Sequence, residues 1–117
     1  MDDMDRDEMI ALARRMYAAA NQHDLAAVDE IFAADFRGVG ITGPDQVKRA
    51  WSAMIERCPD FHVELVDAMV DGDRMALRAT VTGVETAAGD DGYLTEWVRV
   101  ADGRIADVWG VTNVALR

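Results

Sequence analysis

The chain has 117 residues, 22 Asp and Glu against 12 Lys and Arg for a net charge of −10 at pH 7, and half of its residues are hydrophobic. This length holds one domain, residues 1–117, able to bury roughly two-thirds of its unfolded surface, and the composition excludes a disordered chain. The acidic excess argues against nucleic acid, whose phosphates call for clustered Lys and Arg, and against an anionic membrane surface.

Cys58 is the single cysteine, so no intramolecular disulfide can form and a reducing, cytoplasmic setting is expected. The opening Met1-Asp-Asp-Met-Asp-Arg-Asp-Glu8 is acidic where a signal peptide is basic and then apolar. No run approaches the roughly 20 apolar residues of a membrane span.

Residues 5–22 carry Met9, Leu12, Ala13, Met16, Tyr17 and Ala20 at helical spacing, with acids in the first turn. Asn21-Gln-His-Asp24 interrupts that helix. Asp24 can cap a second through Ala34, with Leu25, Val28, Ile31 and Phe32 on its apolar face. A short extended piece spans Phe36–Ile41. Pro44 suits the first turn of a third helix running to about Arg57, with Val47, Trp51, Met54 and Ile55 inward.

From Phe61 the period changes to two. Four strands are expected near 61–70, 74–86, 93–101 and 104–115, joined by Asp71-Gly-Asp73, a loop holding Gly89-Asp-Asp-Gly92, and Ala101-Asp-Gly103. Helices followed by antiparallel strands predict an α+β domain with three N-terminal helices on one face of a curved antiparallel sheet.

Two strands give the strongest functional signal. One inward row reads Met75, Leu77, Ala79, Val81, Gly83 and then Glu85; the other reads Ile105, Asp107, Trp109, Val111 and then Asn113. An apolar row ending in a carboxylate or an amide is the pattern of a ligand-cavity wall.

The order of several segments resembles the SnoaL-like polyketide cyclases of the nuclear-transport-factor-2-like superfamily. The segments are Tyr17-Ala-Ala-Ala-Asn-Gln-His-Asp-Leu25, Phe32-Ala-Ala-Asp-Phe36, Gly43 with Val47 and Trp51, Cys58-Pro-Asp-Phe61, Asp71-Gly-Asp-Arg74, Thr82-Gly83 and Asp102-Gly-Arg-Ile105. The resemblance covers nearly the whole chain and implies the cone-shaped, cystatin-like fold of that superfamily. It also implies cofactor-free chemistry on a hydrophobic small molecule, and a homodimer paired through the sheets. In these cyclases a histidine follows the Thr-Gly pair where this chain has Glu85. Their Trp-x-x-x-Asp ends in the acid/base aspartate where this chain has Trp109 followed by Asn113.

Glu85 is the first catalytic candidate, because a carboxylate at the end of an apolar row is desolvated and its pKa raised toward neutrality. The competing reading puts it in the hairpin, facing water. Asp107 is the second, on the row of Trp109. Asn113 cannot titrate but can orient a ligand oxygen, and Tyr17 can donate its phenol. Trp51, Met54, Trp97 and Trp109 can supply a flat apolar surface, or simply core. His62 lies on the row opposite to Phe61, Val63 and Leu65, and the sequence does not fix which row faces the cavity.

Two separated histidines and one cysteine give no metal-ligand spacing, and there is no phosphate-cradling glycine loop or nucleophile elbow. The leading expectation is an acid-based, cofactor-independent cyclase or isomerase of secondary metabolism. A non-catalytic binding or dimerisation module of the same fold is the alternative. An epoxide-hydrolase-like site ranks below both, since it needs an Asp-Arg-Asp set and Arg78 falls on the row opposite Leu77 and Glu85.

Overall fold

The computed structural model describes residues 4–115; the first three residues of the acidic opening lie outside the described residues. Helix α1 (Arg6–Asn21) starts at a capping box. The Asp5 carboxylate accepts from the Glu8 backbone N–H at 2.8 Å, and Glu8 accepts from that of Asp5 at 3.1 Å. Its buried stripe is Met9, Leu12, Ala13, Met16, Tyr17, Ala19 and Ala20. At its last residue the Asn21 side chain meets the Val63 backbone twice, accepting from its N–H and donating to its C=O, each at 2.8 Å. This clamp fixes the end of α1 to the sheet, and with it Tyr17 one turn earlier.

The second helix is shorter than its sequence period predicts. A 3-10 turn over Leu25–Ala27 leads into α2 (Val28–Ile31), and Phe32 already opens strand β1 (Phe32–Gly38). Phe32 and Phe36 are both buried there, and their sheet pairing overrides the local helical pattern. After the short β2 (Ile41–Thr42), α3 (Gly43–Arg57) begins with Pro44 in its first turn and packs over β1.

Strands β3 (His62–Asp71), β4 (Arg74–Thr82), β5 (Gly92–Ala101) and β6 (Arg104–Thr112) form consecutive antiparallel pairs, and the sheet order is β2-β1-β6-β5-β4-β3. The sheet is therefore mixed, not purely antiparallel as expected, because β1 lies parallel to β6. The core lies between the helices and the inner face, with Met9, Val28, Ile31, Met75, Leu77, Val98 and Ile105 almost fully buried.

Two register shifts decide which side chains face inward. In β3 the pairing slips between Leu65 and Asp67, so Val63 is buried while Val66 and Met69 point out. In β6, Ile105 pairs with Val100 but Asp107 pairs with Arg99, and both Ile105 and Ala106 are buried. One extra residue at that point exchanges the faces for the rest of the strand.

Candidate functional site

Between α1, α3, β1 and the inner faces of β5 and β6 lies a cavity of about 310 Å³. Phe32, Phe36, Val47, Trp51, Met54 and Val63 supply much of its wall. Helical spacing explains the α3 contribution, since Val47, Trp51 and Met54 lie on one face. Phe32 holds the edge of Trp51 at a centroid separation of 5.8 Å and that of Phe36 at 4.9 Å, both near perpendicular.

Two ionisable side chains enter this apolar space, Tyr17 from α1 and Glu96 from β5. The Tyr17 hydroxyl donates to Glu96 Oε1 at 2.6 Å. Glu96 stands on the inward row Leu94, Glu96, Val98, Val100, directly opposite Gly110 of β6. Burial raises the pKa of Glu96 above its ordinary value, with the Tyr17 hydrogen bond opposing that rise. Burial also raises that of Tyr17, helped by the neighbouring carboxylate, so the phenol stays protonated. Among the described residues lining the cavity there is no Lys, Arg or His to neutralise Glu96. A carboxyl in this setting holds its proton to higher pH than an exposed glutamate does.

The sequence-derived candidates divide. Tyr17, Trp51 and Met54 do line the cavity. Asp107 and Trp109 do not, because the shift at Ala106 turns them to the outer face and brings Val108, Gly110 and Thr112 inward. There Asp107 pairs with Arg99, and Trp109 is 63% exposed. Trp97 points outward directly opposite Trp109, because Glu96 occupies the inward position beside it.

His62 is exposed while its neighbour Val63 is buried, which fixes the row left open by the sequence. Glu85 leaves the inward row because β4 ends at Thr82 and the chain turns at Gly83 (φ +72°), where a Cβ would stand 2.0 Å from the Asp60 carbonyl oxygen. It is exposed on a separate groove with Arg57, Cys58 and Asp60. Asn113 is engaged with backbone, accepting from the Tyr93 N–H and donating to the Asp91 carbonyl, each at 2.9 Å. Arg78, weighed for an epoxide site, is absent from the cavity wall, as is Arg99.

Glu96 is not among the sequence-derived candidates, although its signal is present. The row Leu94, Glu96, Val98, Val100 is apolar with one carboxylate inside it, the same pattern sought at Glu85. Assigning Trp97 to the interior hid it, since the two residues are adjacent and only one can face in.

Comparison with known proteins agrees with this architecture. Residues 13–108 match the family profile of the SnoaL-like domain. TsrD from Streptomyces laurentii has a similar structure, with 22% identity, 95% of this chain and 92% of that one covered, and a TM-score of 0.83. A candidate polyketide cyclase from Sinorhizobium meliloti is similar at 26% identity, covering 89% and 98%, with a TM-score of 0.74. AclR, a candidate hydroxylase from Streptomyces galilaeus, is similar at 26% identity, covering 94% and 81%, with a TM-score of 0.73. No significant match is found among curated proteins. With the profile matched over most of its length, the chain belongs to the SnoaL-like domain family.

Proposed function

We propose that the protein is a cofactor-free acid–base enzyme acting on a neutral hydrophobic small molecule, by cyclisation or isomerisation of the polyketide type. The observation carrying this reading is the Glu96 carboxyl, raised in pKa by burial and hydrogen-bonded by Tyr17 inside an otherwise apolar cavity. The candidate polyketide cyclase from Sinorhizobium meliloti, of the same fold, supports the reaction class.

In this reading ionised Glu96 takes a proton from a carbon next to a ligand carbonyl, and the C–H electrons pass into an enolate. Protonation of Glu96 removes the charge that held the Tyr17 hydroxyl, which is then free to donate to a ligand oxygen. For isomerisation Glu96 returns the proton to another carbon of the conjugated system. For cyclisation the enolate carbon attacks a second carbonyl of the same molecule, and the resulting alkoxide takes the proton from Glu96. Either sequence balances without an outside oxidant or reductant.

The test is deuterium exchange into 2-tetralone in D₂O, followed by NMR. Accelerated exchange by the wild type, lost in Glu96→Gln, supports the reading. Exchange no faster than buffer, with 2-tetralone nonetheless bound in the cavity, favours the non-catalytic binding module.

A second copy of the chain belongs to the same proposal. Met69, Ala76, Trp97 and Trp109 lie in one line across the outer face of the sheet, and Met69, Trp97 and Trp109 are 72%, 51% and 63% exposed. With Val66 and Val111 beside them, these side chains make a contiguous exposed apolar patch of the kind that a partner surface covers.

A further inference from the structure

Gly110 lies within β6, two residues before its end and directly opposite Glu96, where glycine weakens a strand and packs nothing. The two usual reasons for a strand glycine are absent. Its φ lies outside the left-handed region that favours glycine. Nor is it crowded. A Cβ built there would meet Glu96 Cγ and Oε2 at 3.6 Å and Leu94 Cδ1 at 3.7 Å, which is ordinary contact. Gly92 is the contrast, where a Cβ would stand 2.3 Å from the Val81 carbonyl oxygen. Alanine would fit at 110, so the bare position calls for another explanation.

That explanation lies in what a methyl would cover. Tyr17 takes Oε1 of Glu96, and among the described residues no donor takes Oε2. The missing side chain leaves backbone bare beside that open oxygen, on the cavity side, and the surface of Gly110 is exposed. The other walls carry the rings of Phe32, Phe36, Trp51 and Phe61. Resting on the reading of Glu96 given above, we propose that Gly110 is a specificity-determining position: it admits the edge of a flat, unsaturated ring that lies on its backbone and presents its exchangeable proton to Glu96 Oε2. A peptide plane with no side chain accepts a planar ring at van der Waals distance, whereas a puckered ring cannot lie flat on it.

The inference is tested with Gly110→Ala and two probes that carry a hydroxyl at the same ring position, flat 2-naphthol and puckered decahydro-2-naphthol, each titrated by NMR into wild type and variant so that the effect of the substitution is read for each probe against itself. The variant is expected to melt higher by roughly 2–5 °C, since alanine replaces a strand glycine without strain. It should bind 2-naphthol at least about tenfold more weakly while changing decahydro-2-naphthol by less than about threefold. Higher stability with lower affinity is a combination that a purely structural glycine does not give. A variant that melts lower than the wild type, or one that keeps its affinity for 2-naphthol, overturns the inference and leaves the role of Glu96 intact. Failure of both probes to bind the wild type overturns the cavity reading and this inference with it.

Discussion

Tyr17 and Glu96, 79 positions apart in sequence, are joined by a 2.6 Å hydrogen bond that ties α1 to β5 across the cavity. Their pairing makes the protonation state of one group a property of both. Tyr17→Phe removes the contact that restrains the pKa of Glu96, so the acidic limb of any exchange profile, where the base ionises, should move to higher pH, with a stability loss of about 1 kcal/mol. An unshifted limb would separate Tyr17 from the chemistry. Glu85→Gln, on its separate groove, is expected to leave exchange within about twofold, well under the tenfold per 1.4 kcal/mol of a lost interaction.

The same group sets part of the pH dependence of stability. Because the folded state raises the pKa of Glu96, the native fold binds its proton more tightly than the unfolded chain does. Its contribution is therefore full below the ordinary value of 4.5 and declines as pH rises through the folded value. Denaturant titrations should find Glu96→Gln gaining on the wild type as pH climbs from 4 toward neutrality. A constant difference across that range would mean that Glu96 titrates as it does in the unfolded chain.

Asn21 is expected to matter more than an ordinary helix end. Asn21→Ala removes both bonds to Val63 and leaves that backbone N–H and C=O short of partners, costing about 2–3 kcal/mol in chemical denaturation. Since the clamp also seats the last turn of α1, ligand affinity should fall in the same variant. A loss below about 0.5 kcal/mol would show that water replaces the clamp.

Gly83→Ala meets the Asp60 carbonyl at a φ that L-residues disfavour. A loss of about 2–4 kcal/mol is expected, readable as a lowered melting temperature. Near-neutrality would require the turn to adopt another shape.

The outer tryptophans carry the expectation of a dimer. Light scattering on the wild type should give about twice the 12.9 kDa chain mass. Trp109→Glu, which places an acid beside Trp97 at the end of the apolar line, should return the chain mass. A wild type of 12.9 kDa would remove the second copy from the proposal.

Much of the architecture can be read from local chemistry. Asp5 and Glu8 announce α1, Pro44 announces α3, and Asp71-Gly-Asp73 and Ala101-Asp-Gly103 mark two hairpins that form as expected. What escaped reading depends on partners far away in sequence. Nothing near Phe32 says that it will leave a helix to lie beside Ile105, and nothing near Ala106 says that the strand will take in an extra residue. That single residue decides whether Asp107 or Gly110 looks into the cavity. Tyr17, Trp51 and Met54 were legible because helical spacing tolerates no such slip.

The parallel seating of β1 against β6 has a consequence for biosynthesis. The Phe32–Gly38 segment leaves the ribosome long before Arg104–Thr112, the strand that will hold it. Until then Phe32 and Phe36 have no sheet to cover them, and α3, which packs over β1, has no settled floor. The hairpins of β3, β4 and β5 can assemble meanwhile from neighbours in sequence. The cavity is thus the last part of the molecule to come into being, and chains stalled before residue 104 display their most aromatic surface to whatever chaperone or neighbouring chain meets them first.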